Sequence, residues 1–325
     1  DGGPHMTTSP ALPDRSWIVT PLVSVLAVLA VASLLALIGG SLANVWDSRF
    51  LLILALWLAL WVLNGWLASR ARTAPGRLLV ALVFGAALIG LWELTVRLYD
   101  VPRVILPPPS AIWATFTQNI PLLWGDFVQT ILKGGMAGFA IGSAAAFLVA
   151  ILADRFDFLR RGLLPVGSFM AALPIVGTAP ILVMWYGFGW QSKAAVVVAM
   201  VFFPVLVNTV AGLRDTTAMQ RDLMQTYGAG YWQTLLKLRL PAAMPFIFNG
   251  LKIATTLAFI GAIVAEFFGS PTLGLGFRIS TSVGALALDM VWSAILVSAL
   301  AGSAFYGIVA LIERRVTFWH PSQRR

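Results

Sequence analysis

The sequence predicts an all-α membrane protein that crosses the bilayer about eight times. Of its 325 residues 59% are hydrophobic and only 11% charged, and the mean hydropathy is +0.87, well beyond a soluble domain of ordinary composition. The apolar residues fall in runs long enough to cross a hydrocarbon core of ~30 Å at about 1.5 Å per residue. Lys and Arg sit in the short connections between those runs, so the positive-inside rule accounts for the net charge of +9 without nucleic acid as a partner. Cysteine is absent, which excludes a disulfide framework, thiol chemistry and a thiolate metal site.

Residues 1–16 read as a cloning remnant, Asp1 to His5 ahead of Met6, followed by a polar lead. Trp17 to Ile38 is the first expected span and Phe50 to Leu67 the second. Arg70, Arg72 and Arg77 cluster around Pro75-Gly76 as a cytoplasmic turn, and residues 17–76 form two additional N-terminal helices. Leu78 to Leu98 is the third span, with Glu93 near its end. From Tyr99 to Asp126 the chain is mixed and proline-rich. A turn at Leu106 to Pro109, Ser110 as N-cap and a short amphipathic helix are expected there, lying on the outer face without crossing.

Lys133 opens the fourth span, in which Gly134, Gly138, Gly142, Ala146 and Ala150 repeat four apart and line one helix face, so that a neighbouring backbone can approach closely. After the charged connection Asp154 to Arg161, Leu163 to Phe188 is the fifth span. Pro165, Pro174 and Pro180 break it, and the carbonyls they free need protein or a water-filled cavity, which makes this helix a better pathway candidate than a lipid-facing one. Ala194 to Leu213 is the sixth span; its Asn208 either bonds a neighbouring helix or faces the pathway. Ile247 to Phe268 is the seventh, with Glu266 at its end either resting at the outer interface, paired to a neighbour or acting in gating. A glycine-rich connection, SPTLGLGF, precedes the last span, Ala287 to Ile312. This order puts both termini and the Arg clusters in the cytoplasm and leaves 316–325 as a basic tail.

The longest polar stretch between apolar runs is 214–245. It reads as a helix from Met219 to Tyr227, a left-handed turn at Gly228 and a new helix from Trp232 to Leu238, with Leu240-Pro241 and Met244-Pro245 stopping regular helix. Asp222, Gly228, Leu238 and Leu240-Pro241 fall at the spacings of the E-A-A, three residues, G, nine residues, I-x-L-P loop, which this stretch resembles, of the permease subunits of binding-protein-dependent ABC importers. Asp222-Leu223-Met224 stands where that family has Glu-Ala-Ala. The run LPIVGTAPILVMWYGFGWQSK, with its GFG-x-x-SK turn, and the run GLKIATTLAFIGAIVAEFFGS are similar to the nitrate, sulfonate and taurine branch of that family.

The resemblance implies a type I importer permease core of about six transmembrane helices over 77–315, with the two N-terminal helices as additions. It implies that 214–245 is a coupling loop docking on an ATPase subunit, with Asp222, Gly228 and Pro241 as motif positions and Ala229, Gly230, Tyr231, Trp232 and Gln233 as the contact. Tyr231 and Trp232 also suit anchoring at lipid headgroups. A pathway through the fifth, sixth and seventh spans is implied, with Met184, Trp185, Asn208 and Glu266 as candidates. The implied partners are an ABC ATPase subunit dimer holding ATP and Mg, a second permease copy in a homodimer or heterodimer, an extracytoplasmic substrate-binding protein and lipid. The implied place is the bacterial inner membrane, and the implied cargo a small organic or inorganic anion or similar metabolite. The sequence itself has no P-loop, HExxH or G-x-S-x-G, and the lone histidine outside the remnant, His320, lies in the tail. The chain therefore reads as moving a solute, with no cofactor of its own. An ion-gradient-driven carrier is the alternative, but prolines concentrated mid-chain do not match its repeated, interrupted helices. A membrane scaffold is the third reading.

Overall fold

The computed structural model describes residues 48–71, 73–171, 174–269 and 272–319, and every regular element among them is a helix. The expected first span, 17–38, and His320 lie outside the described residues. The chain divides into two compact units between Ala111 and Ile112.

In the first unit α1 (Ser48–Arg70) packs on α2 (Ala74–Leu98). The Thr73 side chain accepts from the Gly76 N–H at 3.3 Å, and Pro75 occupies the first turn, where its missing N–H costs nothing. Glu93, the acid near the end of α2, is tied to Arg97 one turn on. It also accepts from the Ser110 N–H at 2.9 Å and hydroxyl at 2.8 Å. Ser110 is therefore not the N-cap that was expected. The short helix α3 (Pro109–Gln118) begins one residue earlier at Pro109, and a carboxylate from α2 satisfies the serine.

The second unit opens with a correction. The spanning helix does not begin at Lys133: α4 (Ile120–Phe127), a π-helical segment π1 (Val128–Met136) and α5 (Ala137–Arg155) run continuously for 36 residues, so the stretch expected to stay on the outer face up to Asp126 is partly inside the span. Pro121 suits a helix start, and the Asp126 charge does not end the helix because Arg278 neutralises it at 2.8 Å.

The small-residue stripe packs as expected, against α8 (Trp190–Leu213). A Cβ on Gly138 would lie 2.5 Å from the Val197 Cβ, and one on Gly142 would lie 3.1 Å from the Val198 Cα. Ala146, Ala150 and Ala153 join Val197, Val201, Val205 and the Ala254, Ala258, Ala262 row of α11 (Leu240–Gly269) in the largest core cluster. With alanine and valine on the touching faces, backbones come close and dispersion replaces the hydrophobic drive that lipid cannot supply.

The fifth span is two helices, α6 (Asp157–Ala171) and α7 (Ile175–Tyr186). Pro174 is extended at φ −69°, ψ 111° and starts α7, as a residue without an N–H tends to do. Pro165 and Pro180 stay inside their helices. At 12 residues, α7 alone is too short to cross.

Leu240-Pro241 and Met244-Pro245 do not stop the chain either. Beyond α9 (Ala218–Thr226), α10 (Tyr231–Thr234), a π-helical segment π2 (Leu235–Arg239) and α11 form one 39-residue span. The wider π turn shifts the hydrogen-bond register just ahead of Pro241, where an α turn would meet the missing donor and the ring. The short helix α12 (Leu275–Gly284) and α13 (Leu288–Val316) complete the unit, and Lys252 of α11 pairs with Glu313 of α13 at 2.8 Å. Six helices among the described residues are long and apolar enough to cross a membrane. The expected count of eight adds the 17–38 run and the α6 and α7 pair to these.

Candidate functional site: a loop end, a buried clasp and a groove

The second unit gathers its polar side chains at two ends. At the end carrying the 214–230 loop, α9 starts in a capping box: Thr217 accepts from the Gln220 N–H at 3.3 Å, and Gln220 accepts from the Thr217 N–H at 3.0 Å. It stops at Gly228, whose φ of 67° is the left-handed conformation read from the sequence. The Gly228 N–H reaches the Gln225 carbonyl at 2.8 Å and the Ala229 N–H the Met224 carbonyl at 3.0 Å, the paired bonds of a Schellman turn. Gln233 is turned back, its side-chain oxygen accepting from the Gly230 N–H at 3.2 Å.

Among the expected contact residues Trp232 stands out, 60% exposed; Asp222 and Gly230 are exposed, Ala229 is half-buried, and Pro241 lies within the long helix. Tyr231 faces inward, with its hydroxyl 3.0 Å from Asp154 of α5. Sequence reasoning passed over the exposed apolar row Met219, Leu223 and Tyr227, whose four-residue spacing on α9 was there to be read. No residue of α9 is buried, so this stripe has nothing of its own unit to cover it.

At the opposite end lies a charged cluster whose Asp126, Thr130, Lys193 and Glu266 are buried. Glu266, 1% exposed, accepts from the Thr130 hydroxyl at 2.8 Å and the Gly276 N–H at 2.8 Å, while the Thr130 oxygen accepts from the Leu275 N–H at 2.7 Å. Asp126 accepts from the Gly274 N–H at 2.8 Å and from Arg278. The Lys193 ammonium donates to the Phe188 carbonyl at 2.7 Å and to the Gly269 carbonyl, within electrostatic reach of Glu266. Two cations thus face two carboxylates, and the Gly274 and Gly276 N–H groups at the start of α12 end on those acids, the favourable sign for a helix N-terminus. Lys193, Asp126, Thr130 and Arg278 were not singled out beforehand, although Lys193 closes the GFG-x-x-SK turn and the other charges interrupt or flank apolar runs.

The cluster leaves no room for side chains on its glycines. A Cβ on Gly276 would lie 2.3 Å from the Ile263 carbonyl oxygen. Gly276→Ala is expected to force α12 off α11 and to lower the melting temperature of the detergent-purified protein by more than 5 °C, whereas Gly284→Ala, with open space at its Cβ, leaves it nearly unchanged.

The expected pathway residues are not brought together. Met184 and Trp185 on α7 are 83% and 75% exposed. Trp185 lines a groove of ≈ 530 Å³ between α7, α8 and α11 with Thr178, Met200, Phe203, Pro204 and Leu257, a size that suits a small ligand. Asn208 bonds the neighbouring helix, its carbonyl oxygen accepting from Asn249 of α11 at 3.0 Å. Glu266 lies in the clasp and borders a separate recess of ≈ 280 Å³ with Phe188 and Phe277. A larger groove of ≈ 630 Å³ between α11 and α13 holds none of the four.

Residues 138–318 match the family described as "binding-protein-dependent transport system inner membrane component". The chain is 34% identical to a probable ABC transporter permease protein of Haemophilus influenzae over 68% of this chain and 89% of that protein. It is 30% identical to a riboflavin transport system permease protein of Chloroflexus aurantiacus, over 76% and 90% of the two chains. It is 28% identical to a putative aliphatic sulfonates transport permease protein of Bacillus subtilis, over 78% and 94%.

Proposed function

Because this chain belongs to the binding-protein-dependent transport system inner membrane components, the permeases of ABC importers, in their nitrate, sulfonate and taurine branch, we propose a division of labour among its parts. The chain is the multi-pass membrane subunit of an ATP-driven importer. It forms the translocation pathway for a small solute brought by a substrate-binding protein, and its family works with an ATPase. That membership sets aside the ion-driven carrier. The docking surface for the ATPase is α9 with Trp232; ATP and Mg are bound by that partner, and the loop end faces the cytoplasm together with both termini. The observation that carries this assignment is the uncovered row Met219, Leu223 and Tyr227 beside Trp232, on a loop whose spacing follows the family motif. Rigid aromatics flanked by small apolar area are what interface hot spots favour.

The pathway runs along the ≈ 530 Å³ groove. Met184 and Trp185 stand on the outside of a single copy, so a pathway they line is completed by a second copy of the permease. The cargo is a small anion or similar metabolite, a proposal supported by the sulfonate permease named above. When ATP closes the ATPase dimer, the docked loops move with it and the helices rock between inward-open and outward-open states.

The test is co-purification with the ATPase subunit of the same importer. Trp232→Asp is expected to weaken the complex at least about 30-fold, the effect of losing a hot spot, with the permease itself still monodisperse. Equal capture of the ATPase by both forms would remove the docking surface from α9 and Trp232.

A further inference from the structure

Within the 214–230 loop α9 buries nothing against the helix bundle and Thr216 ahead of it is buried, and both mouths of the loop meet at one guanidinium. Arg239, the last residue of π2, donates from Nε to the carbonyl of Leu213, the residue that ends α8 and precedes the loop, at 2.9 Å. Its two terminal nitrogens grip the Asp154 carboxylate in the last turn of α5 at 2.8 and 2.5 Å. Tyr231, the first residue after the loop, adds its hydroxyl to the same carboxylate at 3.0 Å, and the Arg155 guanidinium lies over its ring at 4.7 Å from the centroid. The Asp154 side chain is 5% exposed and that of Arg239 15%, so solvent screens the pair little. A planar fork on a carboxylate fixes angle as well as distance, which a lysine or a single bond does not.

We propose that Asp154, Arg239 and Tyr231 are positioning residues that form a latch, converting displacement of the docked loop into movement of α5 and α8. The proposal rests on the reading of the loop as the ATPase-docking element. Without the latch the loop stays attached to the bundle through the chain at Leu213 and Tyr231, the buried Thr216 and the Arg155 stack, contacts that fix its angle against α5 less tightly than the fork does. Binding of the ATPase and ATP turnover then continue while transport fails.

The experiment uses the complete importer in proteoliposomes, with uptake and ATP hydrolysis measured on the same preparation. Asp154→Asn and Arg239→Gln are expected to capture the ATPase as the unchanged chain does and to lower solute taken up per ATP by about tenfold, within the range of measured coupling energies. The exchanged pair Asp154→Arg with Arg239→Asp restores part of that ratio, which a general loosening of the fold would not. An unchanged uptake per ATP in both single variants overturns the latch. Should either variant fail to assemble, Tyr231→Phe, which keeps the ring under Arg155 and removes one bond, is read in its place. A severalfold lower ratio supports the latch, and no change overturns it.

A second measurement does not involve the ATPase. The sequence has no cysteine, so spin labels on cysteines introduced at the exposed Leu223 and Phe156 report only that distance. A distribution that broadens with Asp154→Asn supports the latch even if no ATPase binds the unchanged chain, and one of unaltered width overturns it. Failure of capture by the unchanged chain sinks the docking reading alone.

Discussion

Glu266→Ala is expected to cost about 3–5 kcal/mol, because it removes one partner from a buried, hydrogen-bonded set of charges and leaves the rest in place. Thr130 and the Gly276 N–H lose their acceptor, and Lys193, itself buried, keeps its two carbonyls but loses the opposing charge. Set against a typical total of about 5–15 kcal/mol, this is enough to deplete the folded protein in membranes. The measurement is thermal unfolding of the purified protein followed by size-exclusion chromatography. Glu266→Gln keeps an oxygen for one donor and is expected to fall between the two. An alanine variant that melts with the unchanged chain would show that the carboxylate is dispensable to the clasp. If the glutamine variant is stable but imports poorly, the gating reading of this acid gains over the purely structural one.

The second large effect lies in the stripe where α5 meets α8. Gly138→Leu places its Cβ 2.5 Å from the Val197 Cβ and 2.7 Å from the Ala194 carbonyl oxygen, which belongs to a helix backbone and cannot rotate away. The two helices must separate along Gly138, Gly142 and Ala146, the contact on which the largest cluster is built. Overpacking of a tight core costs about 1–3 kcal/mol or more, and here the loss spreads along the helix pair. Accumulation in membranes and resistance to limited proteolysis are the readouts, with Gly162→Leu as the control because nothing lies near its Cβ. Equal protease resistance of the two variants would contradict close packing at Gly138.

The stripe was legible in advance because it depends on one short-range rule, small residues four apart on an apolar helix. The Gly228 turn was legible for the same reason, since a helix stop is written in a few consecutive residues. Three features were not. Asp126 and Arg278 lie far apart in the chain, so each reads as a charge that ends a helix until the fold brings them together. The prolines at 241 and 245 signal a stop by local rules, and the π turn ahead of them cancels that signal through a register shift no residue type announces. The inward turn of Tyr231 depends on Asp154 at the end of another helix, and from sequence it was indistinguishable from the outward turn of Trp232. Family spacing located the loop, and the structure supplied its apolar row.

The caps of the loop have an entropic consequence. Thr217 with Gln220, the Schellman pair at Gly228 and Gln233 on Gly230 settle the backbone donors of both helix starts and the turn between them inside the segment itself. A disordered docking segment must be immobilised by its partner, which consumes several kcal/mol of contact energy. Here that ordering has been done when the chain folds. On the docking proposed for this loop, the contact energy of Trp232 and its neighbours is then not consumed in ordering the segment, and the ATPase would meet a finished part.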